Sequence, residues 1–359
     1  MSDVYRRLAK KLDDLPNGFP ATERGVEIEI LKKIYAPAEA EMAMQMRPVP
    51  ETAEDIAGRL GKPVSEMQSI LDDMTRKGQI GSFKLSGQQV YMFYPFVLGI
   101  YEFQLPRLDR EFVDLFEEYA PAFLAKLGGF KPALLRVIPV NAKIDARPQV
   151  HLYEDLHRLI EKAKSFRVSE CICRKERALH GHACKHTLEN CLGFSPEEGA
   201  FDRSPLPGRI ISKEEAFRVL WQAEQEGLVH SSWNVQKGHS FVCNCCPCCC
   251  GIMRGLKEFK APHILARSNF LAQIDPESCS SCGLCAEERC PMDAIIEEGD
   301  SYRVLSERCI GCGVCTVTCP VEAMTIKPRP EKEREEPPAT LTEWKTKRAS
   351  NRGIELKEV

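Results

Sequence analysis

The 359-residue chain is 43% hydrophobic, which is enough to bury real cores and excludes disorder of the chain as a whole. Its 49 basic and 52 acidic residues leave a net charge of −3, so no global cationic field holds nucleic acid or an anionic membrane. Eighteen cysteines stand in a chain too long to need disulfide staples. The opening MSDVYRRLAKKLDDLP has no continuous apolar stretch of the signal-peptide kind, and the longest apolar run, Tyr91 to Tyr101, falls far short of a bilayer span. A cytoplasmic protein with reduced or metal-bound thiols is expected.

No cysteine precedes Cys171, so the first half folds by ordinary packing. Ile28, Leu31, Ile34 and Tyr35 predict a helix, and Ala38, Met42 and Met46 continue its stripe as core filling. Ala53, Ile56, Ala57 and Leu60 mark a second helix, with Thr52 as cap and Gly61 as stop. Met67, Ile70, Leu71 and Met74 mark a third, ending at Gly78, and GSFKLSGQQVYMFYPFV reads as two strands around a Ser-Gly turn. This helix, helix, hairpin order resembles a winged helix, which defines a first unit over 1–100. DNA binding is not expected: the third helix, which would be the recognition helix, sets Arg76 and Lys77 against Glu66, Asp72 and Asp73, where phosphate contact needs cations.

A connecting region follows over 101–168. Helical patterns run through Phe112, Leu115, Phe116 and Tyr119 and through Leu152, Leu156, Leu159 and Ile160, with the proline-bearing FKPALLRVIPVNAKIDARPQV extended between them. His151 and His157 do not share a helical face and read as ordinary surface or packing residues.

Residues 169–265 form a cysteine-rich unit. Cys171, Cys173, Cys184 and Cys191 suffice for one 4Fe-4S cluster, with Arg174, Lys175 and Arg177 close enough in sequence to offset its charge. The run CNCCPCCCG contributes Cys243, Cys245, Cys246, Cys248, Cys249 and Cys250 as overlapping C-x-x-C pairs. Neighbouring side chains diverge, so these six cannot all enter one site. One or two further iron–sulfur clusters, zinc with help from His180, His182 and His186, or a redox dithiol all stay open. Cys249, Cys250 and Gly251 match a CCG triplet found in subunits that reduce disulfides, although the flanking spacing departs from that pattern. Between the runs, Ala216, Leu220 and Ala223 line a scaffold helix with Phe217 and Trp221 beside them, and His230 and His239 are minor ligand candidates.

Residues 266–328 carry an internal repeat. CSSCGLCAEERCPMDAI from Cys279 and CIGCGVCTVTCPVEAMTI from Cys309 share C-x-x-C-G-x-C, a further Cys-Pro, and an alanine three positions on. Four-cysteine zinc sites come instead as two separated C-x-x-C pairs. The repeat resembles the bacterial-type dicluster ferredoxins. That resemblance implies one 4Fe-4S cluster on Cys279, Cys282, Cys285 and Cys319 and another on Cys309, Cys312, Cys315 and Cys290, because the fourth cysteine of each motif serves the opposite cluster. The first repeat has four residues, Ala286 to Arg289, before its last cysteine, where the second has three, and a local bulge is expected there.

The tail, 329–359, is expected to be flexible and charged or to strap onto the protein around Leu341 and Trp344. From Pro328 on it holds 8 basic and 7 acidic residues and four prolines. The expected whole is an α+β multidomain protein with a winged-helix-like N-terminal domain, a central Cys-rich domain and a bacterial-ferredoxin-like C-terminal domain. Its expected function is electron transfer between redox partner proteins in anaerobic metabolism, as a carrier or subunit rather than an enzyme in its own right. A redox-responsive regulator and a catalytic subunit using the CNCCPCCC run are the alternatives.

Overall fold

The computed structural model describes residues 2–140, 151–202 and 207–356. The chain opens with a helix the motif reading passed over, α1 (Ser2–Asp13), which buries Val4, Tyr5, Leu8 and Leu12 at helical spacing. The expected stripe from Ile28 to Met46 is two helices, α2 (Val26–Ile34) and α3 (Pro37–Gln45). Pro37 holds Ala36 in extended backbone at ψ 160, which breaks the first helix and starts the second. Helix α4 (Ala53–Leu60) is capped reciprocally by Thr52 and Asp55 and stops at Gly61 with φ 65. Helix α5 (Val64–Arg76) buries Met67, Leu71 and Met74. Strands β1 (Gly81–Leu85) and β2 (Gln88–Met92) pair antiparallel around Ser86 and Gly87, both at positive φ.

After the one-turn α6 (Tyr101–Phe103), helix α7 (Arg110–Leu127), capped by Asp109, packs Tyr119 and Phe123 against Phe19 and Phe96. The following stretch is not a mere connector. Its first half forms β3 (Leu135–Val137), and its second half, 141–150, lies outside the described residues.

A seven-stranded sheet then unites what the sequence reading divided at 168/169, a boundary that cuts through β4 (Ser165–Glu170) just after α8 (Leu156–Lys162). Next come α9 (Ile172–Leu179), β5 (Glu189–Ser195), β6 (Arg209–Ile211), α10 (Lys213–Gln225), β7 (Val229–Trp233), β8 (Phe241–Cys245), α11 (Gly251–Lys257) and β9 (Leu265–Ala266). The strand order is β6-β4-β5-β8-β7-β3-β9, antiparallel throughout except for the β3–β9 pair. Side chains alternate across the sheet. Val168, Leu192, Phe194 and Val242 pack under α8 and α10 in one core, while Cys191, Cys243 and Cys245 belong to the alternate positions.

In the C-terminal unit β10 (Phe270–Ile274) pairs with β13 (Met324–Pro328), and β11 (Ile295–Glu298) pairs with β12 (Ser301–Val304), with the short α12 (Val314–Val317) between the ladders. The tail is not a free charged segment. Helix α13 (Leu341–Arg352) buries Trp344 and Arg348 against the N-terminal half. No helix among the described residues is long and apolar enough to cross a membrane.

Candidate metal centres

The two cysteine repeats form mirrored loops. Gly283 and Gly313, each directly after the second cysteine of its motif, sit at φ 78 and 76, a conformation that costs a residue with a Cβ and lets the loop fold back. Cys279, Cys282, Cys285 and Cys319 line one small cavity. Burial, then the neighbouring Cys279, Cys282 and Cys319, raise the Cys285 thiol. Burial followed by Cys312, Cys309 and Cys290 does the same to Cys315. Each motif's last cysteine therefore lies beside the opposite motif's triplet. The extra residue in the first repeat is absorbed by a π-turn over Cys285–Arg289, closed by the Cys290 amide donating to the Cys285 carbonyl at 3.1 Å.

The ten central cysteines divide differently from the sequence grouping, which placed Cys184 with Cys171, Cys173 and Cys191. Six are electrostatic neighbours in a closed order, Cys171, Cys173, Cys250, Cys245, Cys243, Cys191 and back to Cys171. The Cys250 and Cys245 sulfurs are 3.3 Å apart. Strand pairing builds the ring. Leu192 opposes Val242 on β5 and β8, so Cys191 and Cys243 are neighbours, and Cys245 stands two residues on along the same face. Cys171 and Cys250 are the residues immediately before α9 and α11.

The other four, Cys184, Cys246, Cys248 and Cys249, bring their sulfurs within 4.8 Å of one another. A tetrahedral ion with bonds of about 2.3 Å sets its sulfurs about 3.8 Å apart, and Cys248 and Cys249 are 3.7 Å apart. Of the overlapping C-x-x-C pairs, Cys246 with Cys249 stays in one group, whereas Cys243 with Cys246 and Cys245 with Cys248 are split. Adjacent Cys245 and Cys246, and Cys249 and Cys250, fall in different groups, whereas adjacent Cys248 and Cys249, on the turn before α11, share the tetrad.

Arg174 is the cation shared by both groups. It is buried, donates to the carbonyls of Thr187 at 2.7 Å and Asn244 at 2.8 Å, and favours thiolate at Cys171 and Cys246. Hydrogen bonds from Cys248 and Cys249, with Arg174 adding its charge, hold the Cys246 thiol well below its ordinary range. Those from Cys243 and Cys250 bring Cys245 to about 5 against the opposing effect of burial. Lys175 and Arg177 turn away, to Glu170 at 2.5 Å and Glu117 at 2.9 Å. His186 lies 3.6 Å from Glu226, and burial lowers its pKa while Cys246 opposes that. His180 faces Asp114 and is ring-to-ring with His182. His230 meets Asn244 at 2.6 Å and His239 meets Ser232 at 2.9 Å, so both are held by polar partners. His151 and His157 are exposed and stack on Tyr153 and Phe217.

Sheet pairing, rather than the helix between the runs, joins them. Helix α10 covers the opposite face, and its Ala223 touches the tetrad through Cys246 and Cys249. Sequence reasoning missed Glu117, which accepts from Arg254 at 2.6 and 3.0 Å and from Arg177. The available signal was a single charge, Glu117, on the helical stripe it shares with buried Val113, Ala120 and Leu124 of α7.

Residues 271–320 match the family described as a 4Fe-4S dicluster domain. The chain is 33% identical over 70 residues to the electron transport protein HydN of Escherichia coli, covering 18% of this chain and 40% of HydN. It is 42% identical over 55 residues to an uncharacterized ferredoxin of Methanocaldococcus jannaschii, 15% of this chain and 36% of that protein. A ferredoxin of Alicyclobacillus acidocaldarius matches at 43% over 49 residues, 13% of this chain and 63% of the ferredoxin. The chain thus spans less than two thirds of each of these relatives. No solved structure matches it. Residues 271–320 are a 4Fe-4S dicluster ferredoxin domain, and the chain is a multidomain iron–sulfur protein of mixed helix and sheet.

Proposed function

We propose that this chain is an electron-transfer protein or subunit. One 4Fe-4S cluster is held by Cys279, Cys282, Cys285 and Cys319, and the other by Cys309, Cys312, Cys315 and Cys290. Each cluster, when bound, takes up or releases one electron at a time. The observation that carries the reading is the crossed arrangement of the two motifs, in which each last cysteine stands beside the other motif's triplet. The similarity to HydN and to two ferredoxins supports it. The donor and acceptor are redox proteins, and the tetrad of Cys184, Cys246, Cys248 and Cys249 adds a further metal ion. A reducing cytoplasm and anaerobic metabolism suit so many thiols.

Helices α4 and α5 with the β1–β2 hairpin are winged-helix-like and serve as scaffold. The cations of α5 are already engaged, Arg76 with Asp73 at 3.0 Å and Lys77 with Asp73 and Glu39 at 2.6 Å, which leaves nothing on this helix to neutralise phosphates. The test is anaerobic titration of the purified chain with dithionite. Uptake of at least two electrons, with reoxidation by a ferredoxin-dependent acceptor, is expected. A chain that contains iron and sulfide but exchanges no electrons would end the reading.

A further inference from the structure

The ring of six cysteines borders a cavity of about 1870 Å³, and Cys191 and Cys243 form part of its wall. That volume exceeds the range of about 300–1,000 Å³ usual for small-molecule pockets. Much of the lining is apolar, from Phe93, Leu98, Phe194, Trp233 and Phe241. Its charges are strongly one-sided. Arg167 lies on β4 beside Cys191, and its Nη1 is buried without a hydrogen-bond partner, with the guanidinium resting over the Phe201 ring at 5.4 Å. Lys345, also on the wall, is half-buried and makes no ion pair among the described residues. Of the three lining acids, Asp14 is paired with Lys10, Glu102 accepts from the Gly99 amide at 2.8 Å, and Glu355 is exposed at the rim. A buried guanidinium edge with no partner is costly unless something anionic completes it.

The ring itself calls for metal. Packing gives no reason for six thiols to converge between β5, β8 and the starts of α9 and α11, and six thiolates exceed the four that one tetrahedral ion takes. The neighbouring tetrad is already complete with four.

We propose that the six-cysteine ring is a metal centre separate from the tetrad, and that its Cys191–Cys243 edge opens on a binding site for an organic anion with an extended apolar body, whose acidic group pairs with Arg167. The juxtaposition that carries this is a half-buried guanidinium whose Nη1 is buried without a hydrogen-bond partner, an apolar cavity, and the Cys191–Cys243 edge of the thiol group on its wall. It goes beyond electron transfer through the ferredoxin domain and does not depend on it.

Two measurements on the full anaerobic holoprotein test it. The first is metal content of Cys248→Ser, a change at an exposed position that disables the tetrad. The two ferredoxin quartets account for about eight irons, so metal remaining above that number belongs to the ring. A fall to about eight irons and nothing else overturns the metal centre. The second uses anilinonaphthalene sulfonate as the anionic probe and N-phenyl-1-naphthylamine as its uncharged counterpart. The sulfonate is expected to bind with about 10-fold or greater loss in Arg167→Gln, as for removal of a charge-assisted pair. Binding of the amine should be unchanged, and the electron paramagnetic resonance of the reduced Cys248→Ser protein should shift when the sulfonate binds. Equal binding of both probes, no effect of Arg167→Gln, or an unaltered resonance overturns the anion site at the ring.

Discussion

Glu117 stands where the spacing of helix α7 calls for an apolar side chain, and its environment explains why a charge survives there. It accepts two hydrogen bonds from Arg254 on α11 and one from Arg177 on α9, the two helices that begin at the cysteine ring. Glu176 beside it is pushed up to about 9 by burial and by the Glu117 charge, which favours its neutral form beside that carboxylate. One carboxylate thus fixes two helix starts that carry Cys171, Cys173 and Cys250. Removing it strands two arginines that are no more than 13% exposed. Glu117→Ala is expected to cost about 3 kcal/mol, the cost of breaking a buried pair from one side, read as a lower urea midpoint under anaerobic conditions. A loss below about 1 kcal/mol, the value of a surface ion pair, would mean that the network is not what seats the helices.

Among the elements, α13 shows how far local composition can mislead. Its segment has too little apolar surface to fold alone, and by that criterion the tail reads as mobile. What orders it lies more than 200 residues away in sequence. Trp344 is fully buried and donates to the Ala133 carbonyl at 2.8 Å, and Arg348 donates to the carbonyls of Pro16, Phe130, Pro132 and Leu127. Trp344→Ala should cost about 3–5 kcal/mol, seen as a lowered unfolding midpoint and as cleavage of the tail by protease. Wild-type resistance to protease in that variant would show that α13 does not depend on its tryptophan. The amphipathic helices α4, α5, α7 and α10 were legible because each carries its own stripe. The sheet was not. Strands β3 and β9 are three and two residues long and acquire meaning only from their neighbours. The 4Fe-4S dicluster domain could be read from the spacing of its two cysteine motifs, since each motif lies in one continuous stretch of sequence. The division of the ten central cysteines could not be read that way, because register between β5 and β8 decides which sulfurs meet.

At the scale of the molecule, the thiol groups fall in a sequence. Arg289, on the π-turn of the ferredoxin unit, donates to the carbonyls of Gln225 and Glu224 at 2.7 and 2.8 Å at the end of α10. In the same turn, Ala223 packs with Leu228 on Cys246 and Cys249 of the tetrad. The tetrad in turn is one peptide bond from the ring at two places, Cys245 with Cys246 and Cys249 with Cys250, and the ring faces the cavity. The extra residue in the first cysteine repeat therefore has a use, because it creates the turn from which Arg289 reaches across. On the reading that electrons pass inward from the ferredoxin clusters, Arg289→Ala should keep the metal content, and because Arg289 adjoins Cys290 and its charge acts on Cys315 and Cys312, the rate of reduction of those clusters is measured alongside and the central rate is compared with it. Reduction of the central centres, followed by stopped-flow absorbance after mixing with dithionite, should slow by about 10-fold, the decade that about 1.4 kcal/mol of lost coupling yields. Central reduction at the wild-type rate in Arg289→Ala would place the electron entry elsewhere and leave this contact as a structural clasp between two independently reduced units.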